Sequence, residues 1–434
     1  MKIFRRIINS QMARGSVIIF VGTNIGNFIN LLFNFSMGRL LGPEKYGELG
    51  ALFSSSILLG VILGILSLFT VKAVSTYWGK KDLGKILAFH TFLTPRLFLL
   101  SFVLCVILLV ITPLISGFLY LDSLIPFILV ALSFVLSGPA TFNKGILQGV
   151  LAFSYVTVNG VVEVTLKLLI SVVLVILNFG LTGPVLGSLL GGIAGYILTV
   201  VELKIIFRGV VHHKNSLVSW NLLKSFFPVT LASLTLAVFL NMDIILVRHF
   251  FTGSIAGEYV ALSTISKIIF YGIGPVISVM FPLISTRSSN GLPYLIPLLG
   301  TLAMSLGLSA VIMFSFFLFP KLIIGILFGG SYLSITAYLG LFSFFITIYS
   351  LNSILTYFLL SISYYQPIYP LFLISLLQCF FIFLFHDNIW QVIWVNIAVS
   401  ILYFMTISFF VLKKERSIIN KFMLKKLSGH IYAG

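Results

Sequence analysis

The sequence predicts an all-α polytopic membrane protein with about 12 transmembrane helices in two pseudo-symmetric six-helix lobes. Three observations lead to this prediction: the hydropathy, the placement of the basic residues, and a phrase that occurs twice, half a chain apart. The 434 residues have a mean hydropathy of +1.16, and only 9% of them are charged. Soluble domains carry roughly 25% charged residues, so this composition excludes a water-soluble fold.

Apolar runs of about 20 residues, the length that crosses ~30 Å of hydrocarbon as a helix, follow one another along the chain. A sliding hydropathy window indicates twelve such spans. They lie at roughly 14–37, 47–76, 88–115, 124–146, 154–178, 184–207, 221–247, 257–285, 293–319, 333–360, 366–386 and 389–412. Because no connection between spans is long enough for a soluble domain, we expect the function to lie within the membrane region.

The net charge of +17 is distributed unevenly over the two sides of these spans. With the N-terminus inside, 19 of the 27 Lys and Arg residues fall in inner segments and 4 fall in outer segments. Basic residues concentrate on the cytoplasmic side of membrane proteins. We therefore expect a multi-pass protein of the cell (cytoplasmic) membrane with both termini in the cytoplasm, and we expect no binding of nucleic acid.

A charged, glycine-marked phrase occurs twice in this apolar chain. GRLLGPEKYGELGA begins at residue 38, and VRHFFTGSIAGEYVAL begins at residue 247. When Arg39 is aligned on Arg248, Gly47 falls on Gly257 to within a single residue, at an offset of about 210. The phrase predicts equivalent outer ends for the first and seventh helices.

A second pair of phrases has the same offset. TVKAVST ends at Thr76, and MFPLIST ends at Thr286. Two halves with an even number of spans each have the same orientation, which is a parallel repeat about an axis along the membrane normal. We therefore predict an N-lobe over 1–208, a C-lobe over 209–412 and a basic cytoplasmic tail over 413–434.

The two long phrases are also part of a resemblance to a known family. Three further stretches carry it: LQGVLAF at 147–153, MFPLIS at 280–285 and LIIGILFGGSYLSITAYLGLF at 322–342. Together these stretches resemble the polysaccharide-biosynthesis (Wzx-type) flippase branch of the MOP exporter superfamily. The resemblance implies alternating access through a central cavity that carries a polyprenyl-(pyro)phosphate-linked oligosaccharide from the inner to the outer leaflet. It implies the lipid-linked glycan and the bilayer as partners, with glycan-assembly enzymes as further candidates, and we expect a monomer.

Three cations within the spans are the predicted substrate-binding residues. Lys72 and Lys267 lie in the second and eighth helices, which line the cavity in this superfamily, and Arg96 lies in the third. A diphosphate headgroup needs several positive donors once its water is removed. Two of these residues keep an alternative interpretation: Lys72 is near enough to the inner end to reach headgroups, and Arg96 lies only about two turns into its helix.

The remaining charges in or near the spans are expected to serve gating or structure. Glu163 and Lys167 are spaced i,i+4, which predicts a self-neutralising pair on one helix face. Asp243 precedes Arg248 near the outer end of the seventh helix, where we expect it to steady the outer gate by pairing with a basic residue; coupling to a cation is the alternative. Arg39 is the equivalent of Arg248 in the first half.

Glycines recur every four residues in several spans, as at Gly60/Gly64 and at Gly187/Gly191/Gly195. Small residues at this spacing let transmembrane helices approach each other closely. We expect them to serve lobe assembly and not phosphate binding.

An enzyme is not expected, because glycan chemistry needs paired carboxylates or a metal-binding acidic cluster, and the acids here are single and scattered. No cofactor or metal is expected either. The main alternative is a MATE-type multidrug or cation antiporter of the same fold. Such antiporters commonly carry ion-coupling carboxylates in the first helices of a lobe, and we expect no such carboxylate in the first four spans.

Overall fold

The computed structural model describes residues 11–211, 221–251 and 253–431, with side chains over 18–61, 63–211, 227–251 and 253–414. Parts of the predicted lobe junction and of the tail lie outside these residues. The helices are α1 Gln11–Gly79, α2 Leu83–Phe118, α3 Ile125–Gly149, α4 Phe153–Ile176, α5 Thr182–Ile206, α6 Asn221–Phe250, α7 Ser254–Ser289, α8 Leu295–Leu318, α9 Pro320–Leu327, α10 Leu339–Ser361, α11 Ile368–Leu384 and α12 Ile389–Ile431.

Helix α1 is broken at Gly42, and the break makes it two membrane passages. Its apolar part, Ile18–Gly79, has 62 residues, about 93 Å of helix at 1.5 Å per residue. Gly42 has φ 73° and ψ 171°, a conformation that glycine adopts without a steric penalty, and Pro43 follows it. The arms over 11–41 and 43–79 are called α1a and α1b below.

The predicted number of passages is confirmed for the described residues. Ten of their helices are long and apolar enough to cross a membrane. The two arms of α1 add one passage, and the 17-residue apolar helix α11 adds another. The described part of the chain is therefore all-α with twelve passages.

The segment between the ninth and tenth passages is more structured than predicted. It forms the short helix α9, a turn at Gly329 with φ 92°, and a 3₁₀ helix over Gly330–Ala337. The tenth passage consequently begins at Leu339, about two turns later than hydropathy places it. Residues 333–338, which hydropathy assigns to the tenth span, belong instead to the 3₁₀ helix and the turn after it.

The chain divides into two compact units. The first covers Met1–Thr230, Ile244–Thr264 and Lys321–Thr336, and the second covers Leu231–Asp243, Ile265–Pro320 and Ala337–Gly434. The boundary of the sequence halves at 208/209 stays a prediction, since the units take segments from both halves.

In the first unit, α1b, α2 and α3 form a core of large side chains. Phe69, Phe89, Phe142 and Ile146 are at most 3% exposed within it. The glycine prediction is confirmed for α5, whose Gly191 backs onto the Glu163 carbonyl of α4: an added Cβ would lie 2.7 Å from that oxygen. It is wrong for Gly60 and Gly64, which have open space around them.

In the second unit, α10 is the most buried of the described membrane passages, and some of its polar side chains bond to neighbouring helices. The Tyr349 hydroxyl donates to the Leu236 carbonyl of α6 at 3.1 Å. Tyr403 of α12 packs edge-on against Phe239, with their ring centroids 5.7 Å apart. Asn352 donates to the Ser400 carbonyl at 3.0 Å, so hydrogen bonds join α10 to α12.

Candidate functional site: the outer cap and the buried charges

The two repeated phrases lie against each other inside the first unit. A Cβ added to Gly47 would sit 2.7 Å from the Gly257 nitrogen. A Cβ added to Gly257 would collide with the carbonyl oxygen of Pro43. Only glycine permits this backbone-to-backbone approach. We call residues 38–50, 118–122, 244–264 and 321–336 the outer cap, after the predicted orientation of the chain.

Arg248 binds the end of α2. Its Nε donates to the Leu119 carbonyl at 2.9 Å and its Nη2 to the Tyr120 carbonyl at 2.7 Å, and the residue is only 4% exposed. Carbonyl groups at a helix C-terminus lack intrahelical donors and carry partial negative charge. The Arg248 guanidinium supplies both the donors and the positive charge.

Arg39 makes the equivalent contacts at the end of α9. Its Nε donates to the Leu327 carbonyl at 3.2 Å, and its Nη2 donates to the carbonyls of Gly325, at 3.3 Å, and Ile326. Leu119 and Leu327 are 208 residues apart, within two residues of the offset that relates the two phrases. Each arginine therefore binds a helix end that belongs to the opposite half of the sequence. We call this pair of contacts the reciprocal arginine clasp.

A buried carboxylate joins the clasp to neighbouring segments. Glu48 is 1% exposed and lies 3.2 Å from Lys45 Nζ and 3.9 Å from Arg248 Nη2. Lys45 also contacts Asp122, and this ammonium holds the pKa of Asp122 below its usual range. Sequence analysis missed Glu48, although both repeats carry a glutamate directly after the aligned glycine.

Aromatic side chains fill the cap around these charges. The Tyr332 hydroxyl donates to the Gly38 carbonyl at 2.8 Å, and the Tyr46 hydroxyl lies 3.2 Å from the Thr264 hydroxyl. The ring of His249 stacks on that of Phe118 with centroids 4.0 Å apart. Hydrogen bonds and stacked rings thus hold together segments from four parts of the chain.

The structure places two of the predicted substrate cations on exposed helix faces. Lys72 is exposed on α1b. Arg96 is exposed on α2, where it stacks on the ring of Phe92 at 3.6 Å and donates to the Phe92 carbonyl. Leu99 and Val110, which are 65% and 74% exposed, lie on the same face. This apolar surrounding favours the interfacial alternative for Arg96.

Lys267 is the buried member of the predicted set. It is 7% exposed in the second unit, and Asp243, 1% exposed, is its electrostatic partner. Asn396 donates to Asp243 at 3.5 Å, and Gln378 donates to Asn396 at 2.8 Å. Residues from α6, α7, α11 and α12 thus form one buried polar cluster.

The structure gives Glu163 a different principal partner from the predicted one. Its Oε2 accepts from Lys144 Nζ of α3 at 2.6 Å. Lys167 Nζ instead lies 3.3 Å from the Asn30 side-chain oxygen and 4.0 Å from the centroid of the Phe33 ring. The i,i+4 spacing predicts a local pair, but a lysine on a neighbouring helix offers a closer contact.

The chain matches a family model described as "Polysaccharide biosynthesis protein" over residues 36–337. It is 28% identical over 296 residues to the uncharacterized membrane protein MJ1375 of Methanocaldococcus jannaschii, a match that covers 63% of this chain and 68% of that protein.

Solved structures of similar fold are transporters. An inward-facing MATE family multidrug resistance transporter of the MOP superfamily has a TM-score of 0.75 at 13% identity, over 90% of this chain and 96% of the other. An outward-facing one has a TM-score of 0.64 at 14% identity, over 92% and 96%. The MATE transporter DinF-BH in complex with R6G has a TM-score of 0.67 at 13% identity, over 94% and 96%. The chain belongs to the polysaccharide biosynthesis protein family, and it has the fold of these MATE transporters.

Proposed function

We propose that this protein is a flippase that carries a polyprenyl-(pyro)phosphate-linked oligosaccharide from the inner to the outer leaflet of the cell membrane by alternating access. Both termini lie in the cytoplasm, and the protein acts as a monomer of two six-helix lobes, 1–208 and 209–412. The matched family supports a role in polysaccharide biosynthesis. The MOP-type fold supports membrane transport.

One observation carries the alternating-access mechanism: the two repeated phrases close on each other in the outer cap. The closure consists of glycine backbone contacts and the reciprocal arginine clasp. Every hydrogen bond of the clasp ends on a main-chain carbonyl, which water can satisfy as well when the cap opens. Because a hydrogen bond to a charged group is worth only about 1.5–3 kcal/mol net, the closed cap is stable and still reversible.

The anionic headgroup is the part of the substrate with the largest free-energy cost of transfer through the membrane. Transfer of a phosphate charge into a low-dielectric cavity is prohibitive unless cations or donors meet it. We assign this role to Lys267 and Lys72, which lie on equivalent helices of the two halves. Arg96, on its apolar face, would first meet the headgroup at the inner leaflet.

The second candidate function is that of a MATE-type antiporter, and buried carboxylates favour it. Glu202 is 7% exposed and accepts from Asn159 at 2.6 Å, while Asp243 is 1% exposed. A transporter coupled to protons or sodium needs carboxylates of this kind. The flippase and the antiporter differ in their substrate, so transport assays with a glycan lipid and with R6G distinguish them.

A disulfide across the cap tests the gating mechanism. Glu44 and Ser254 are exposed residues next to the two contacting phrases. In a variant without Cys105 and Cys379, the pair Glu44→Cys and Ser254→Cys should cross-link under oxidation. Glycan export should then stop, because the cap cannot open, and a reductant should restore it. Each single cysteine variant serves as the control.

Full export by quantitatively cross-linked protein would make the cap a fixed connector. The alternating-access mechanism would then need a different exit.

A further inference from the structure

The sequence predicts that Lys167 and Glu163 neutralise each other as a structural pair, and the structure gives the two side chains different partners. Glu163 forms its short contact with Lys144, at 2.6 Å, and these side chains are 33% and 32% exposed. Among the described residues, Lys167 forms no salt bridge within 4 Å; its closest polar contact is the Asn30 side-chain oxygen at 3.3 Å. The positive charge of Lys167 is thus left without a carboxylate in contact.

Three helices hold this charge in place. Phe33 and Asn30 come from α1a, Phe53 comes from α1b, and Lys167 comes from α4. The ammonium lies 4.0 Å from the centroid of the Phe33 ring and 4.8 Å from that of the Phe53 ring. Aromatic faces attract a cation without neutralising it. The site therefore keeps a charged amine inside the membrane region while leaving its donors free to be exchanged.

Phosphate oxygens compete well for such an amine. Charge-assisted hydrogen bonds to phosphate are shorter and stronger than a contact with a neutral amide oxygen or an aromatic face. Lys167 is only partly buried, so part of its surface is open to contact. A phosphate can replace the contacts of Lys167 with the two rings and with the Asn30 amide oxygen. Replacing a carboxylate bonded to Lys167 would cost much more free energy.

We propose that Lys167 binds the phosphate of the lipid-linked substrate. Asn30, Phe33 and Phe53 position the Lys167 ammonium for this contact. Lys144 is a positioning residue that keeps Glu163 away from Lys167. This inference rests on the proposed function and adds a cation that the sequence had assigned to structure. Loss of Lys144 would free Glu163 to neutralise Lys167, which lies one helical turn away on the same helix.

The test is binding of radiolabelled polyprenyl diphosphate to the purified full-length chain in nanodiscs. Lys167→Met should weaken this binding about tenfold or more, the value of a charge-assisted hydrogen bond. Lys167→Arg should restore part of it. Lys204→Met, which removes an exposed lysine outside the site, is the matched control for the loss of one charge.

The positioning role has its own signature. Lys144→Met should weaken binding nearly as much as Lys167→Met does. Adding Glu163→Gln to Lys144→Met should restore binding, because no carboxylate is then left to capture Lys167, whereas adding it to Lys167→Met should not. A purely structural Lys144–Glu163 pair would not give this rescue.

Three competitors identify the source of the phosphate. Polyprenyl alcohol and phosphatidylglycerol should compete poorly, and inorganic diphosphate should compete in a Lys167-dependent manner. If Lys167→Met binds polyprenyl diphosphate as wild type does, the inference is wrong and the proposed function stands. If the wild-type chain does not bind this ligand at all, the inference and the proposed substrate both fail.

Discussion

Replacing Gly257 with alanine is expected to hold the outer cap open and to lower export at least about tenfold. The added Cβ would collide with the main-chain carbonyl of Pro43, an atom that cannot rotate away. The two phrases must then separate, and this destabilises the closed cap. Ser263, which is fully buried in the first unit, reports the change. In a Ser263→Cys variant lacking Cys105 and Cys379, a membrane-impermeant thiol reagent should label the protein much faster when Gly257→Ala is present.

The matched control is Gly60→Ala, a helical glycine of α1b with no atom within 4 Å of its added Cβ. It should be neutral in both assays. Wild-type export by Gly257→Ala together with a shielded Ser263→Cys would mean that the cap does not close at this contact during transport.

Lys267→Ala is expected to reduce both protein abundance and export, and a second substitution should separate the two effects. Removing one member of a buried charge pair costs about 3–5 kcal/mol, because the remaining charge is left uncompensated. Asp243 would be that charge. In the double variant Asp243→Asn, Lys267→Ala no charge remains, so abundance should recover, but export should stay about tenfold or more below wild type if Lys267 meets the substrate. Quantitative blotting of membranes and export per folded molecule measure the two effects.

The conservative variant Lys267→Arg is the control, since it keeps the charge and should export better than either alanine variant. Wild-type export by the double variant would reduce Lys267 to a counter-ion for Asp243. The cationic-cavity mechanism would then depend on Lys72 and Lys167.

The architecture of this chain follows from its sequence because hydropathy and basic flanks act locally. The number of spans depends on the lengths of the apolar runs. The break in α1 depends on Gly42 and Pro43, which are part of the repeated phrase. The phrase also predicts equivalent roles for Arg39 and Arg248. It does not predict which helix ends they bind, because that depends on how segments far apart in the sequence pack.

The errors in the predicted site have the same physical origin. Glu163 was paired with its helical neighbour Lys167, but Lys144 on α3 offers a shorter contact that no spacing rule reveals. Glu48 was given no role, although it is among the most buried charges of the first unit. Helix α9 was not predicted, because its eight residues lie in the connection between the spans predicted at 293–319 and 333–360.

Transport of a labelled substrate by the purified protein tests the central claim most directly. The chain is reconstituted into vesicles that contain a fluorescent polyprenyl-diphosphate oligosaccharide, and an impermeant quencher added outside reports movement between leaflets. We expect the quencher to reach all of the labelled glycan lipid in wild-type vesicles. It should reach only about half of this lipid in Gly257→Ala vesicles and in protein-free vesicles. R6G uptake should show no dependence on a proton or sodium gradient. If the glycan lipid does not move and R6G is transported at the expense of such a gradient, the protein is an antiporter and the flippase account is wrong.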